Sequence, residues 1–503
     1  IFGDHNVNAL IGIEAVEDGS KGKQISRNGF LFETPDFYLL NNGSGTPNVD
    51  NAFDGGTSLF SVFGTANYSY RGKYFGTVTV RNDKTSRFLG DNQSQTFPSF
   101  SAGWLISDED FFPADATVSR LKLKASWGQL GNQSLPVSNP VINISQLNEG
   151  LANYSFNGST ISTGAILNQV GNPDLKWETS VATNVGVEVG LFNNDLNISL
   201  EWYDIDTKDL ITRDNSAIST TAIDAQPPFV NLGDIQNQGF DLAIGYNRQT
   251  SYGFNYGLQA NISHYKNEVQ SLISEFQAGR TDLRGGAVTR TEVGRSISEF
   301  YGREVIGFDS TGRFQYRDVN GDGAIDDTND RTYIGSPHPD FTYGLNFNGD
   351  YKGFDIQIFF SGSHGNDAYN YEKIFSDFAT FPSGNRNARV LDSWTPSNTN
   401  ATLPALSFSV LNDETQPNSY FVEDASYLRL RNLQIGYSFP SDIAEKIGMT
   451  QLRLYLQGTN LFTITKYDGF DPDIISNDNL SLGIDWQTYP VSQIFTVGIN
   501  TKF

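Results

Sequence analysis

The sequence predicts an all-β protein whose long antiparallel strands form a β-barrel that crosses a membrane. The composition favours strands and turns over long helices, because the chain has 49 Gly, 18 Pro and 13% aromatic residues. Several segments alternate strictly between apolar and polar residues over roughly nine or more positions, which is the length of a membrane-spanning strand. Short turns alternate along the chain with long polar segments, as they do in outer-membrane barrels.

The alternating segments predict strands in pairs. The segment SRLKLKASWGQLGN places Leu121, Leu123, Ala125 and Trp127 on one face, and Arg120, Lys122, Lys124 and Ser126 on the other. A hairpin is predicted around the turn FNNDL, with apolar positions at Val185, Val187, Val189, Leu191, Leu196, Ile198, Leu200 and Trp202. Later strands alternate at Phe341, Tyr343, Leu345, Phe347, Phe354, Ile356, Ile358, Phe360, Leu452, Leu454 and Leu456. The whole chain predicts roughly 14 or 15 strands.

One predicted strand, in the segment SYLRLRNLQIGYSFP, changes phase. Leu428 and Leu430 alternate in one register, whereas Leu433 and Ile435 follow the other. A β-bulge near Asn432 explains the change, because one extra residue in a strand shifts every later side chain to the opposite face.

Aromatic residues cluster near the predicted strand ends. Tyr68, Tyr70, Tyr74 and Phe75 flank one turn, and Trp202, Tyr203, Tyr437 and Phe439 are predicted near other ends. Such rings favour the level of the lipid headgroups, so the pattern indicates a membrane-spanning barrel. A large soluble β-protein with an aromatic core is the alternative that the residues leave open.

Four segments are too long to be hairpin turns and are predicted to be long extracellular loops. They are residues 132 to 172, 209 to 236, 270 to 340 and 364 to 425. No low-complexity linker and no clear internal repeat separates them, so the chain is not divided into independent globular domains.

The charge excludes one class of partner. The chain has 57 acidic and 34 basic residues and a net charge of −23, whereas a nucleic-acid surface needs clustered Lys and Arg. The acidity is consistent with a charged, soluble outer surface, with loops that bind divalent cations, or with both. The absence of Cys excludes disulfides, thiolate metal sites and a Cys nucleophile.

The residues do not assemble a catalytic site. The four histidines, His5, His264, His338 and His364, lack the H-E-x-x-H spacing of zinc enzymes, and no G-x-S-x-G nucleophile motif is present. Adjacent acidic pairs such as Asp326 and Asp327 point to opposite sides of an extended backbone, so they do not form a glycosidase pair. The sequence therefore predicts a protein that is not an enzyme.

The segment DVNGDGAIDDTN predicts a structural calcium site. It follows the order of a calcium loop through the ninth position, with Asp318, Asn320, Asp322, the carbonyl of Ala324, and Asp326 as ligands. Asn329 stands at the twelfth position, where a bidentate Glu completes the cage. The alternative is an Asx-turn loop whose side chains hydrogen-bond only its own backbone.

The ordered motifs resemble a known family. RNDKTSRF, FPSFSAGWLISDEDFF, GNPDLKWETS, NLGDIQNQGFDL, RDVNGDGAID, IGSPHPDFTYGLNF and LYLQGTNLF succeed one another as in the SusC/RagA group of TonB-dependent outer-membrane transporters of Bacteroidetes. The resemblance extends over nearly the whole chain. Lys84 stands where the group usually has Gly, which affects one turn only.

The resemblance implies the remaining expectations. Members of the group have an N-terminal plug and a barrel of about 22 strands, lie in the bacterial outer membrane, and import oligosaccharides or peptides. A SusD-like surface lipoprotein caps them, and TonB supplies energy through a segment near the N-terminus. The sequence opens with IFGDHNVNAL, without an initiator Met or signal peptide. We therefore expect residues 1–503 to be the C-terminal part of the barrel, with the plug, the TonB-interacting segment and the early strands upstream.

An open sheet edge is costly in lipid, so the strands must pair with missing strands or close as a separate barrel of roughly 14 strands. A receptor for a siderophore or vitamin is one alternative function. A structural or accessory barrel subunit of a larger secretion or adhesion assembly is a second, and a surface hydrolase is a third.

Overall fold

The fold is known from a computed structural model. It describes residues 3–32, 34, 37–113, 117–137, 139–147, 153–155, 158, 161–214, 225–280, 283–378, 384–409, 413–476, 478–486 and 488–503. Two short helices occur there, α1 (Lys373–Ser376) and α2 (Ser441–Lys446), together with a few short 3-10 segments. Among the described residues, no helix has the length and apolar character required to cross a membrane.

Strands account for most of this part of the chain. In chain order they are β1 (His5–Ser26), β2 (Asn48–Tyr70), β3 (Tyr74–Thr85), β4 (Ser94–Leu105), β5 (Val118–Asn132), β6 (Ile144–Leu147), β7 (Asn153–Ser155), β8 (Ile161–Thr163), β9 (Ala165–Gln169), β10 (Glu178–Leu191), β11 (Leu196–Lys208), β12 (Ile211–Arg213), β13 (Phe229–Asn231), β14 (Gly233–Gln249), β15 (Phe254–Leu272), β16 (Phe276–Ala278), β17 (Thr289–Glu292), β18 (Glu299–Arg303), β19 (Val305–Phe308), β20 (Phe314–Tyr316), β21 (Arg331–Gly335), β22 (Phe341–Tyr351), β23 (Phe354–His364), β24 (Asp367–Asn370), β25 (Val422–Asp424), β26 (Tyr427–Ser438), β27 (Gln451–Thr465), β28 (Ile484–Asp485) and β29 (Ile494–Lys502).

One sheet dominates the fold. Within the described residues it has fourteen strands, in the order β1-β2-β3-β4-β5-β10-β11-β14-β15-β22-β23-β26-β27-β29, and every neighbouring pair is antiparallel. Each strand pairs with the one that precedes it in this series, so the sheet is a continuous meander. The predicted all-β class and the strand number are confirmed. In this part of the chain, β1 and β29 each pair on one side only and form the two edges.

The connections differ at the two ends of the sheet. At the short-turn end, residues 71–73, 106–117, 192–195, 250–253, 352–353 and 439–450 join the strands. At the long-loop end, the connections are 27–47, 86–93, 133–177, 209–232, 273–340, 365–426 and 466–493. The four predicted long loops are confirmed as connections at one end, whereas 27–47 and 466–493 were not predicted. Parts of all four predicted loops lie outside the described residues, the longest being 148–152, 215–224, 379–383 and 410–412.

A two-residue turn shows how the short connections form. Tyr351 pairs with Phe354, and the two residues between them, Lys352 and Gly353, have φ values of 47° and 87°. Positive φ at both central positions is the geometry of a type I′ turn, whose twist matches that of the flanking strands.

The apolar positions predicted by alternation meet across the sheet. One continuous row of directly paired residues consists of Leu121, Val189, Ile198, Ile244, Ala260, Leu345, Phe360, Leu430 and Phe462. Many side chains of this face are exposed, including Leu200, Ile244 and Leu345. An exposed apolar surface that extends across strand after strand is what lipid covers in an outer-membrane barrel. We call it the apolar face and the opposite side the polar face.

The predicted bulge is confirmed. Phe359 pairs with Asn432, but Phe360 pairs with Leu430, so Arg431 is the extra residue in β26. The pairing with β27 is also irregular here, but in the opposite sense: Leu430 pairs with Phe462 and Asn432 with Thr459, so the extra residue lies in β27. The bulge keeps both Leu430 and Leu433 on the apolar face, which explains the change of phase in the sequence.

The aromatic prediction is confirmed only in part. Tyr70, Tyr74 and Trp104 form a row of rings at the short-turn end, with centroid distances of 6.2 and 6.3 Å, and Tyr437 lies 5.0 Å from Phe439 there. Trp202 and Tyr203 were predicted near a strand end, but they lie in the middle of β11. The prediction was wrong because alternation does not mark where a strand stops.

Tyr203 instead packs across the polar face. It is directly paired with Gly239 of β14. A Cβ at Gly239 would lie 2.7 Å from the Tyr203 hydroxyl and 2.2 Å from the backbone oxygen of His264. Only glycine therefore allows this close approach of the ring to the neighbouring strand.

The largest buried apolar cluster in the described residues lies at the long-loop end. It consists of Leu283, Val288, Phe300, Phe314, Tyr316, Tyr369, Tyr371, Ile374, Phe378, Phe421 and Ile484. These residues come from the connections 273–340, 365–426 and 466–493. The three connections consequently form one packed unit, which includes the four-stranded sheet β16-β17-β18-β21.

Candidate functional site

The polar face carries charges that are paired along the strands. Lys124 Nζ lies 2.5 Å from Glu201 Oε2 and 3.8 Å from Glu188 Oε1. Arg81 bonds Glu14 and Asp83, each at 2.7 Å. Because these groups alternate with the apolar positions, the sheet presents a hydrated, ion-paired surface opposite its lipid-facing side. The predicted placement of Lys124 on the polar side is confirmed.

A group of ion pairs fastens the connection 466–493 to this polar face. Arg429 of β26 is 1% exposed, contacts the carboxylate of Asp471, and donates from Nε to Thr463 Oγ1 at 2.8 Å. Arg431, the bulge residue, donates to Asp473 at 2.6 Å. The segment FDPDI is therefore held against the strand wall. This contact was not predicted from the sequence, although the polar phase of both arginines was a signal for it.

A cavity of about 420 Å³ lies where this segment meets the strand ends. Its walls include Tyr265, Ser361 and Tyr427 from the sheet strands, and His338, Asp367 and Asp473 from the connections. Its size lies within the range of about 300–1,000 Å³ that is usual for small-ligand sites. The cavity is the candidate ligand site, and sequence reasoning could not find it because it is built from segments far apart in the chain.

His338 is a neutral member of the cavity wall. Its Nε2 lies 2.8 Å from the backbone oxygen of Ile297, and its Nδ1 lies 3.1 Å from the Tyr265 hydroxyl. A carbonyl oxygen only accepts, so Nε2 carries the hydrogen, and in the neutral ring Nδ1 accepts the Tyr265 O–H. Burial lowers the pKa of His338, which favours the same neutral form.

The predicted calcium ligands lie together in one exposed turn. Asp318 accepts backbone N–H bonds from Gly321 at 2.6 Å and Gly323 at 2.8 Å. Asp326 accepts the backbone N–H groups of Thr328 and Asn329 at 2.7 and 2.8 Å. These bonds lower the pKa of the Asp326 carboxyl below its usual range, and the bond from Asn329 has the largest effect. Hard oxygen ligands of this kind suit Ca²⁺.

The fit to calcium is incomplete at the end of the loop. Asp330 is fully buried and accepts the backbone N–H groups of Val319 and Asp326, each at 2.8 Å, so it does not close a cage. Asp322 accepts from Ala324 N–H and from the Asn320 amide, both at 2.8 Å. In the described part of the chain, no three His, Cys, Asp or Glu side chains are grouped as a metal site. The calcium site stays a prediction.

Calcium is expected to protect this loop from trypsin, because an ion that binds only the closed loop stabilises it by mass action. Arg317 begins the loop, and its side chain is 57% exposed, so it is the cleavage site. Mass spectrometry of the fragments should show several-fold slower cleavage after Arg317 when Ca²⁺ is added to chelator-treated protein. The D322N variant should lose the protection, and equal rates for the unsubstituted protein with and without Ca²⁺ would contradict the site.

Comparisons with known proteins agree with this geometry. Residues 17–461 match the family model described as "TonB dependent receptor-like, beta-barrel". TonB-dependent receptor P3 of Formosa agariphila is 32% identical over 100% of this chain and 51% of its own length. TonB-dependent receptor SusC of Bacteroides thetaiotaomicron is 30% identical over 89% of this chain and 44% of its own.

A solved structure has the same fold. The barrel chain of the RagAB peptide transporter superposes with a TM-score of 0.81 and 26% identity, covering 100% of this chain and 54% of that chain. The chain thus spans about half the length of the relatives that it matches.

Proposed function

This chain belongs to the family of TonB-dependent receptor β-barrels, and from that premise we propose that it forms barrel wall and outer loops of an importer of oligosaccharides or peptides. Proteins of this family lie in the bacterial outer membrane, where lipid covers the apolar face. The observation that carries the proposal is the architecture: one sheet has an apolar face and an ion-paired polar face, and its long connections form a packed unit at one end.

Two lines of support indicate the proposed substrates. RagAB, whose structure this chain matches, is a peptide transporter, and the sequence resemblance to the SusC/RagA group adds oligosaccharides. Import needs no bond-making chemistry, and the proposed role is that of a transporter and not of an enzyme. The substrate would cross the long-loop end and reach the polar face.

The proposed partners follow the same relatives. A SusD-like surface lipoprotein would cover the packed loops, and TonB would supply energy through a segment outside residues 1–503. We propose that β1 and β29 pair with further strands of the full-length protein, because unpaired N–H and C=O groups cost several kcal/mol each in lipid. An N-terminal plug would fill the space that the polar face encloses.

The proposal is tested by purifying the natural protein from outer membranes in mild detergent. We expect mass spectrometry to find a polypeptide near twice this length together with a surface lipoprotein. Deletion of the gene should abolish growth on one class of oligosaccharide or peptide, and loss of TonB should do the same. Co-purification with secretion or adhesion components, without any uptake defect, would instead support a structural subunit. A growth defect limited to siderophore or vitamin use would identify a receptor of that kind.

A further inference from the structure

The cavity at the long-loop end contains one carboxylate that lacks a cation. Asp367 begins β24, and its Oδ2 accepts the backbone N–H of Ser336 at 3.0 Å. No Lys, Arg or His side chain of the described residues forms an ion pair with it, and no other hydrogen bond to its carboxylate is present among them. Burial raises the pKa of Asp367, and the nearby charges of Asp424 and Asp340 raise it further.

The other ionisable groups of the cavity wall do not supply the missing charge. Asp473 already pairs with Arg431 at 2.6 Å. His338 donates Nε2–H to the Ile297 carbonyl, and its burial lowers the pKa of the ring, which favours the neutral form. The described residues that line the cavity include neither Lys nor Arg. Among them, Asp367 is therefore the one uncompensated charge.

The surroundings of Asp367 suit a small cation. Tyr265 and Tyr343 line the same cavity, and aromatic faces attract ammonium groups. Tyr427 lines it as well, but the guanidinium of Arg429 already lies over its ring, 5.3 Å from the centroid. A carboxylate that is partly withdrawn from water forms its strongest hydrogen bonds with charged donors. An ammonium group fits this position better than a hydroxyl, because only the ammonium neutralises the carboxylate.

We propose that the cavity binds its ligand through a primary ammonium group held by Asp367. The inference rests on the proposed import function, since the ligand is the imported molecule. The amino terminus of a short peptide and the amine of an amino sugar share this chemistry. Ser361 accepts from Arg431 and Ser363 donates to the Asn366 amide oxygen, so the Ser361 O–H and the Asn366 NH₂ group are the donors left for the rest of either ligand.

Calorimetric binding to the full-length complex in detergent tests the proposal. The probes are trialanine and N-acetyl-trialanine, and then a glucosamine trimer and its fully N-acetylated form. We expect the free amine of one pair to bind about tenfold tighter than its acetylated form, because acetylation removes the charge. A preference within the trialanine pair identifies a peptide as the ligand, and a preference within the glucosamine pair identifies an amino sugar. In the D367N variant, which keeps the shape of the side chain, the preference should vanish.

A matched variant and a transport assay make the result decisive. D442N, which changes an exposed carboxylate of α2 at the opposite end of the sheet, should retain the full preference. The ammonium site is overturned if no free amine binds the unsubstituted complex, if acetylation has no effect, or if D367N keeps the preference. Uptake by whole cells separates this failure from that of the import function, because cells that import a nutrient without any amine preference retain the function and lose only the site.

Discussion

Replacing Gly239 with Ala is expected to prevent most of the protein from reaching the folded, membrane-inserted state. The added Cβ would lie 2.2 Å from the backbone oxygen of His264 and 2.7 Å from the Tyr203 hydroxyl. The Tyr203 ring could rotate away, but the carbonyl belongs to the paired strand β15, so the strand pairing itself must shift. Overpacking of this kind costs about 1–3 kcal/mol or more, and strand pairing in a barrel is cooperative.

The measurement is the amount of full-length protein that migrates as folded barrel in unheated gels of outer-membrane extracts. We expect at least about a fivefold reduction for G239A, because a barrel whose strands β14 and β15 cannot pair in register stalls during assembly and is degraded. Gly245 provides the control, since it lies on the same face of β14 and a Cβ there would have no atom within 4 Å. Equal amounts of G239A and G245A would show that the close approach of Tyr203 to β14 is dispensable.

Replacing Arg429 with Ala is expected to release the connection 466–493 from the strand wall. Asp471 is 3% exposed, so the change leaves a buried carboxylate without its cation. Breaking a buried ion pair in this way costs about 3–5 kcal/mol. The strands themselves keep their backbone pairing, so the loss is local.

Hydrogen exchange measures this local loss in the full-length protein. We expect protection of the amides of residues 478–486 to fall by at least about a hundredfold, as ~3 kcal/mol requires. R120A is the matched control, because Arg120 is 49% exposed and its contact with Glu188 is 3.5 Å long. Such a pair contributes at most about 1 kcal/mol. Unchanged protection in R429A would mean that the apolar contacts of Leu480 and Ile484 alone hold the segment.

The sheet was predictable because its signal is local. Period-two alternation assigns residues such as Leu123 and Lys124 to opposite faces, and a meander follows once short turns and long connections alternate. Even the bulge in β26 was visible as a change of phase between Leu430 and Leu433. The positions of the strand ends could not be predicted, because alternation continues beyond the membrane. Trp202 was therefore placed near a strand end and not in the middle of β11.

The candidate site was less predictable because its contacts are distant in the chain. Thr289 donates its hydroxyl to the Leu480 carbonyl at 2.6 Å, across 191 positions of sequence. The wall of the cavity likewise joins β15, β23 and three connections. The calcium motif could be identified in advance because its spacing is contained in about twelve residues. Asp367 has no comparable motif, and its lack of a cation appears only when the neighbouring segments are in place.

The shared core of the three long connections also limits how the protein can change over generations. Phe300, Tyr369 and Ile484 each come from a different connection and pack in one cluster. A substitution that reshapes one connection alters the surface against which the other two must pack. New ligand preferences therefore arise most readily when the three segments are inherited or exchanged together, while the strand meander below them stays the same.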